Sequence, residues 1–322
     1  SLTVLTGWAG QLSLGQMAFA GMGALTAAGF NRGLVVDWIL FDRRIFFIRF
    51  DPMPFVVSIL LGAVVAGVIA IIVGVGALRV RGLQLAVSTF ALAIAAGAWI
   101  YRLDVFSGGS SSSVGFRRGD LAGIDLDDSR NYYYLVLGVL TLTVALLGRL
   151  RRSGVGRVTI AVRDNAPTAS AYTVRPAVAK LREFGLSGFN AGLGGGLLAG
   201  IAQQIQFGDA RFLVDGSLRL VAMVVIGGIG SIAGALIGAL WVVGLPALAP
   251  DSDIVPLLTS SIGLLILLLY PTWSGTHQCY KLTNTGNTLE VVRWGDNIRH
   301  QMFIVLSEVL HITASQGHGL FE

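Results

Sequence analysis

Apolar positions along the chain do not alternate with polar ones. They run together in seven blocks, at 2–30, 54–78, 82–101, 132–148, 184–203, 220–249 and 255–270. Crossing the hydrocarbon of a bilayer as a helix takes about 20 mostly apolar residues, and every block approaches or exceeds that length. No Asp, Glu, Lys, Arg or His lies inside a block, while Glu183 and Arg219 stand just outside two of them. The pattern predicts an all-α protein, a polytopic membrane helix bundle of seven or eight crossings. The block at 220–249 is too long for one straight span and carries Gly227, Gly228 and Gly230 early in its length. It is expected to tilt, break or double back.

The polar connections orient such a bundle, because Lys and Arg collect on the cytoplasmic side. Connection 149–183 holds Arg149, Arg151, Arg152, Arg157, Arg163, Arg175, Lys180 and Arg182 against Asp164 and Glu183. It is assigned to the cytoplasm, together with Arg79 and Arg81. Segment 104–130, with Asp104, Asp120, Asp125, Asp127 and Asp128 against Arg117, Arg118 and Arg130, is assigned outside. Its SGGSSSSVG run at 107–115 reads as a flexible linker. Loop 31–53 also falls outside, its Arg32, Arg43, Arg44 and Arg49 largely offset by Asp37, Asp42 and Asp51.

Within the first block, TGWAGQLSLGQMAFAGMG at 6–23 sets five glycines, Gln11 and Gln16 in apolar surroundings. Glycine there permits a broken or tightly packed helix, and broken backbone at membrane depth is tolerated where it lines a cavity. Two glycine series recur at every fourth residue: Gly188, Gly192, Gly196 and Gly200, and then Gly230, Gly234 and Gly238. Each series predicts a helix face that lets a neighbouring backbone come close. The stretch GRVTIAVRDNAPTASAYTVRPAVAKL at 156–181 is basic and partly amphipathic, with Pro176 placed to kink or end a helix. It reads either as an anchor for lipid headgroups or as a docking helix for a soluble partner, and periodicity does not separate the two.

Composition sharpens this picture. Of 322 residues, 54% are hydrophobic and 13% charged, about half the charged share of a soluble domain. The net charge of +5 is clustered in the connections, so it is not a nucleic-acid footprint. The two lysines, Lys180 and Lys281, do not follow glycine, which excludes a GxxxxGK[ST] phosphate loop. The blocks hold no carboxylate or histidine to relay protons, and no Ser/His/Asp set or carboxylate pair supports catalysis. Residues 1–271 read as a membrane domain, opening inside an apolar segment as if a leading helix were missing. Residues 272–322 form an atypical tail that holds all four histidines and the single cysteine, with Ile298, Met302, Val305, Leu306 and Val309 at helical spacing. His277 and Cys279 with His300 or His311 match no common zinc spacing, so no metal site is assigned.

GWAGQLSLGQMAFAGMGALTAA at 7–28 resembles the signature of branched-chain amino-acid ABC importer permeases of the LivM type. Three further blocks agree in the same order: LRVRGLQLAVSTFALA at 78–93, the long block at 156–200, and MVVIGGIGSIAGALIGA at 223–239. Together they cover most of 2–271. The resemblance implies the ABC importer permease fold, with no cofactor in this chain and ATP-Mg held by partners. Those partners are a homologous LivH-like membrane subunit, two cytoplasmic ATPase subunits and an extracytoplasmic substrate-binding protein, all serving the bacterial inner membrane. It also implies that loop 156–182 seats in the ATPase groove. There Gly156, Arg157, Arg163, Asp164 and Asn165 match the family pattern, and Ala166 replaces a common Glu whose contact is absent here. A substrate path is then expected along Gln11, Ser13 and Gln16, with Asn190, Gln203 and Gln204 as weaker positions. Such neutral groups suit a zwitterion that must be released; packing of the same amides against helix ends is the alternative. Branched-chain amino acids are the expected cargo and urea or short amides the runner-up, ahead of a passive channel or a membrane scaffold.

Overall fold

The computed structural model describes residues 1–248 except 34, 41–42, 50, 78, 80–82, 104–112, 122 and 207–211, together with 280–285 and 288–293. The chain divides into two units, Ser1–Ser260 and Ser261–Glu322. In the second unit the described residues form an antiparallel hairpin of Tyr280–Thr285 with Thr288–Arg293. The amphipathic helix expected around 298–309 and the His/Cys positions of the tail lie outside the described residues, as does the block at 255–270.

The first unit opens with a π-helical turn, Thr3–Trp8, and continues after a gap as α1, Gln16–Arg32. Four further helical stretches are long and apolar enough to cross a membrane. They are α2 (Phe55–Ala77), α3 (Leu83–Ala98) with the 3-10 turn that follows it to Arg102, α4 (Ser129–Arg152) and α7 (Pro176–Ala202). Between α4 and α7 lie α5 (Gly154–Asp164) and α6 (Ala166–Ala171). Beyond α7, α8 (Val214–Gly227) and the helical stretch that begins with α9 (Ile232–Ala239) and ends at Leu248 are bent by 120° at the glycine break. The long 220–249 block therefore doubles back. Among the described residues this gives four spans, or five if the bent pair counts as one. That is fewer than the seven or eight expected, because block 2–30 is interrupted and block 255–270 is not described.

Local sequence explains the helix ends. Asp128 caps α4 by accepting from the Arg130 amide at 3.1 Å, and Arg149, Arg151 and Arg152 lie in its last turn, where cations suit the helix dipole. Pro176 starts α7 and neither kinks nor ends it, since the amide it lacks has no partner in a first turn anyway. The connections at 31–53 and 104–130 are less irregular than composition suggests. Residues 35–40 and 43–49 form a hairpin, and Ser113–Gly115, read as linker, pairs antiparallel with Gln204–Gln206. Val114 and Ile205 face each other in that pair at 0% and 2% exposure, and their burial overrides the serine-rich context.

α1, α2 and α7 form the core of the unit. Beyond Phe55 and Ile59 at its start, which are buried, α2 is inverted relative to a soluble helix: it buries Ser58, Gly62, Ala63, Ala66, Gly67, Ala70 and Gly74 and exposes Val57, Leu60, Val64, Val68, Ile72 and Val75. Large apolar groups outward and small ones inward is what lipid favours, since helices there associate through close backbone packing. A Cβ at Gly23 of α1 would lie 2.5 Å from Gly192 Cα, and one at Gly195 would strike the Ala20 carbonyl. Gly188, Gly192 and Gly196 pack on Ala70, Ala66 and Ile59 of α2, and Gly200 on Tyr132 and Phe55. In the second series, Gly234 and Gly238 pack on Gly227 and Met223 of α8, whereas Gly230 sits in the turn, off the helix face expected for it.

Candidate functional site

The interruption in the first apolar block runs from Ala9 to Gly15. The gap forms because Gly10 adopts φ +66° and Gly15 admits the α3 backbone so closely that a Cβ would meet the Thr89 carbonyl at 2.5 Å. Losing helix there frees backbone donors that need partners, and side chains of two other elements take up two of them. Thr89 Oγ1 on α3 accepts from the Leu14 amide at 3.1 Å, and Ser217 Oγ on α8 accepts from the Met17 amide at 3.2 Å. Ser187 Oγ on α7 donates to Gln16 Oε1 at 3.1 Å. The Tyr101 hydroxyl, after α3, reaches the carbonyls of Met17, Ala18 and Phe212.

Inside this frame Gln11, Ser13 and Gln16 are buried at 6%, 0% and 1% exposure. Gln11 Oε1, Ser13 Oγ and Gln16 Nε2 have no hydrogen-bond partner among the described residues. An unmade hydrogen bond on a buried polar atom costs about 1–3 kcal/mol, so three within six residues single this stretch out as the candidate site. The three can accept and donate, and none carries a charge. Asn190 does not join them: its amide donates to the Leu186 carbonyl of its own helix at 2.8 Å. Gln203 is the left-handed cap of α7, and Gln204 is exposed and donates to Ser113 Oγ at 2.9 Å.

The segment between α4 and α7 folds back on α7. A Cβ at Gly156 would lie 2.5 Å from the carbonyls of Leu150 and Arg151, so glycine lets α5 turn tightly away from α4. Arg157, Asp164 and Asn165 are exposed and Ala166 half-buried; Asn165 caps α6 by accepting from the Thr168 amide at 3.2 Å. Glu183, expected at the border of a span, is instead 2% exposed within α7. It accepts from Thr159 Oγ1 at 2.7 Å, with its second oxygen unpartnered among the described residues. Arg163 is half-buried: it pairs with the exposed Asp164 Oδ1 at 2.9 Å, and its Nη1 donates to the Gly7 carbonyl at 2.6 Å.

The sequence did not single out Thr89, Ser187 or Ser217; Thr89 and Ser187 signalled only as hydroxyls inside apolar blocks, and Ser217 lies just before one. It also missed Arg118, read as a loop charge. Arg118 is 7% exposed, donates to the carbonyls of Gly200 and Ile201 at 2.6 and 3.2 Å, and lies 4.3 Å from the Tyr132 ring centroid. It caps the far end of α7, where helix carbonyls lack partners.

Apolar-faced helices packed through glycine, a broken first segment and a doubled-back pair define a multi-pass membrane protein. Residues 1–269 match the family model for the permease component of the branched-chain amino acid transport system, and the chain belongs to that family. It is a membrane permease of an ABC-type transporter, a transport component working with other membrane, ATPase and binding components. No curated relative and no solved structure matches it.

Proposed function

We propose that this chain is a LivM-type subunit of an ATP-driven importer in the bacterial cytoplasmic membrane, moving leucine, isoleucine and valine by alternating access. A LivH-like membrane subunit completes the path, two ATPase subunits supply the energy, and an extracytoplasmic binding protein delivers the cargo. The observation that carries the reading is the break at 9–15, with Gln11 Oε1, Ser13 Oγ and Gln16 Nε2 buried and unpartnered. Neutral donors and acceptors can hold the ammonium and carboxylate of a zwitterion weakly enough for release, while the apolar surroundings suit an aliphatic side chain. The exposed face of α5 and α6, with Arg157, Asp164 and Asn165 beside Ala166, is the surface offered to the ATPases; Gly156 sets its angle. Urea or short amides are the second reading, favoured by the same uncharged amide groups.

The test is uptake of labelled leucine by proteoliposomes containing this chain, the homologous subunit, the ATPases and the binding protein. Uptake that needs internal ATP is expected. ATP turnover without leucine uptake would move the cargo to urea or short amides, and uptake without ATP would make the protein a passive channel.

A further inference from the structure

We infer that Arg163 is a positioning residue linking the α5–α6 pair to the break at 9–15, an inference that rests on the ATP-coupled reading above. An arginine on a basic cytoplasmic helix ordinarily reaches water or lipid phosphate. Here the side chain is only 32% exposed, and its planar fork is held at two ends. Nε and Nη2 meet Asp164 Oδ1 at 3.0 and 2.9 Å, while Nη1 donates to the Gly7 carbonyl at 2.6 Å. Gly7 lies in the last turn of the π-helical segment, where carbonyls lack partners inside the helix and a cation is favoured. The aliphatic stem passes over the break itself: a Cβ at Gly10 would lie 2.7 Å from Arg163 Cγ.

The other side of the same segment is also fixed. A Cβ at Gly7 would strike the Ile229 carbonyl, and Trp8 Nε1 donates to the Gly230 carbonyl at 3.3 Å, both in the turn between α8 and α9. Arg151, at the end of α4, stands 6.0 Å from the Trp8 ring centroid. The segment before the break is thus clamped between the cytoplasmic helices and the doubled-back pair. Displacement of α5 pulls on Gly7 and presses on Gly10, and Gln11 and Ser13 follow within three residues. Arg163 therefore acts inward, on the cargo path, and not outward on the ATPases. The arrangement favours a guanidinium, because an ammonium on a flexible stem keeps the charge but does not hold Asp164 and the Gly7 carbonyl in one plane.

The experiment compares wild type, Arg163→Ala and Arg163→Lys in the complete transporter in proteoliposomes, reading retained ATPase subunits, uptake, and ATP hydrolysed per molecule imported. Arg163→Ala should keep the ATPase subunits, lower uptake by about tenfold or more and raise the ATP consumed per import. Arg163→Lys should recover part of the uptake. Loss of the ATPase subunits from Arg163→Ala would make it a docking residue and overturn the inference. Uptake and hydrolysis falling together at a constant ratio would overturn it too, showing only a structural role, as would unchanged uptake. A wild type without ATP-dependent uptake, visible before any variant is made, would remove the importer reading and this inference with it.

Discussion

Gly192 and Gly10 belong to the same unit and use the absence of a side chain in opposite ways. Gly192 lies inside α7, its amide in the helix, and lets Gly23 of α1 and Ala63 and Ala66 of α2 approach closely. Gly10 lies where there is no helix, at φ +66°, with Arg163 across it. In the first region the helices close on one another through glycine and alanine, and their backbones come close. In the second, backbone is released from the helix, Thr89 and Ser217 take up two of its amides, and three side-chain polar atoms remain unmet. Glycine-rich sequence therefore marks both the most tightly packed part of the protein and the part least satisfied by its own contacts. The bundle closes on itself, and the break is where buried polar atoms stay without protein partners among the described residues.

The comparison predicts a graded set of effects. The largest belongs to Gly192→Leu, alone or with Gly196→Leu, which should cost about 3 kcal/mol or more through overpacking and leave little monodisperse protein after detergent extraction. Normal assembly of this variant would show that the face is not a packed interface. Next comes Thr89→Val, which strands the Leu14 amide and should lower stability by about 1–3 kcal/mol, read as a lower thermal midpoint, with Thr89→Ser close to wild type. Gly10→Ala should cost about 1 kcal/mol for a left-handed backbone position and displace Arg163, so uptake should fall more than stability does. The smallest effect on stability belongs to Gln11→Leu: it removes an oxygen that has no partner, so the thermal midpoint should stay level or rise while uptake drops. A midpoint lowered as far as that of Thr89→Val would assign Gln11 to packing instead.

Much of the architecture was legible because lipid imposes a simple rule on helices. Apolar blocks at 54–78, 82–101, 132–148 and 184–203 became α2, α3 with its 3-10 turn, α4 and α7, and Gly227, Gly228 and Gly230 correctly marked a reversal. The first block misled as a single span, since hydropathy registers the apolar content of 2–30 but not the left-handed Gly10 or the close approach of Thr89 at Gly15. Pro176 is ambiguous by sequence because proline both ends and begins helices, and the preceding Arg175, extended at φ −94° and ψ 102°, decides for a beginning. The strand pairing of 113–115 with 204–206 was hidden because its partners lie about 90 residues apart.

What the sequence determined by itself is the solvent and the family. Apolar block length, small residues at helical spacing and the basic connection are local or periodic properties, and four ordered motifs carry the permease resemblance without any knowledge of contacts. Only the tertiary structure decided which polar groups are satisfied. Gln11, Gln16, Asn190 and Gln204 look alike as uncharged amides in the chain, yet Asn190 bonds within its own helix and Gln204 lies exposed at the strand pair, while Gln11 and Gln16 keep polar atoms buried and unmet. In the same way Arg118 read as a loop charge and Arg163 as a coupling position, until the fold turned one onto the end of α7 and the other onto Gly7. Whether a polar group finds a partner depends on residues distant in sequence, and no local pattern records that.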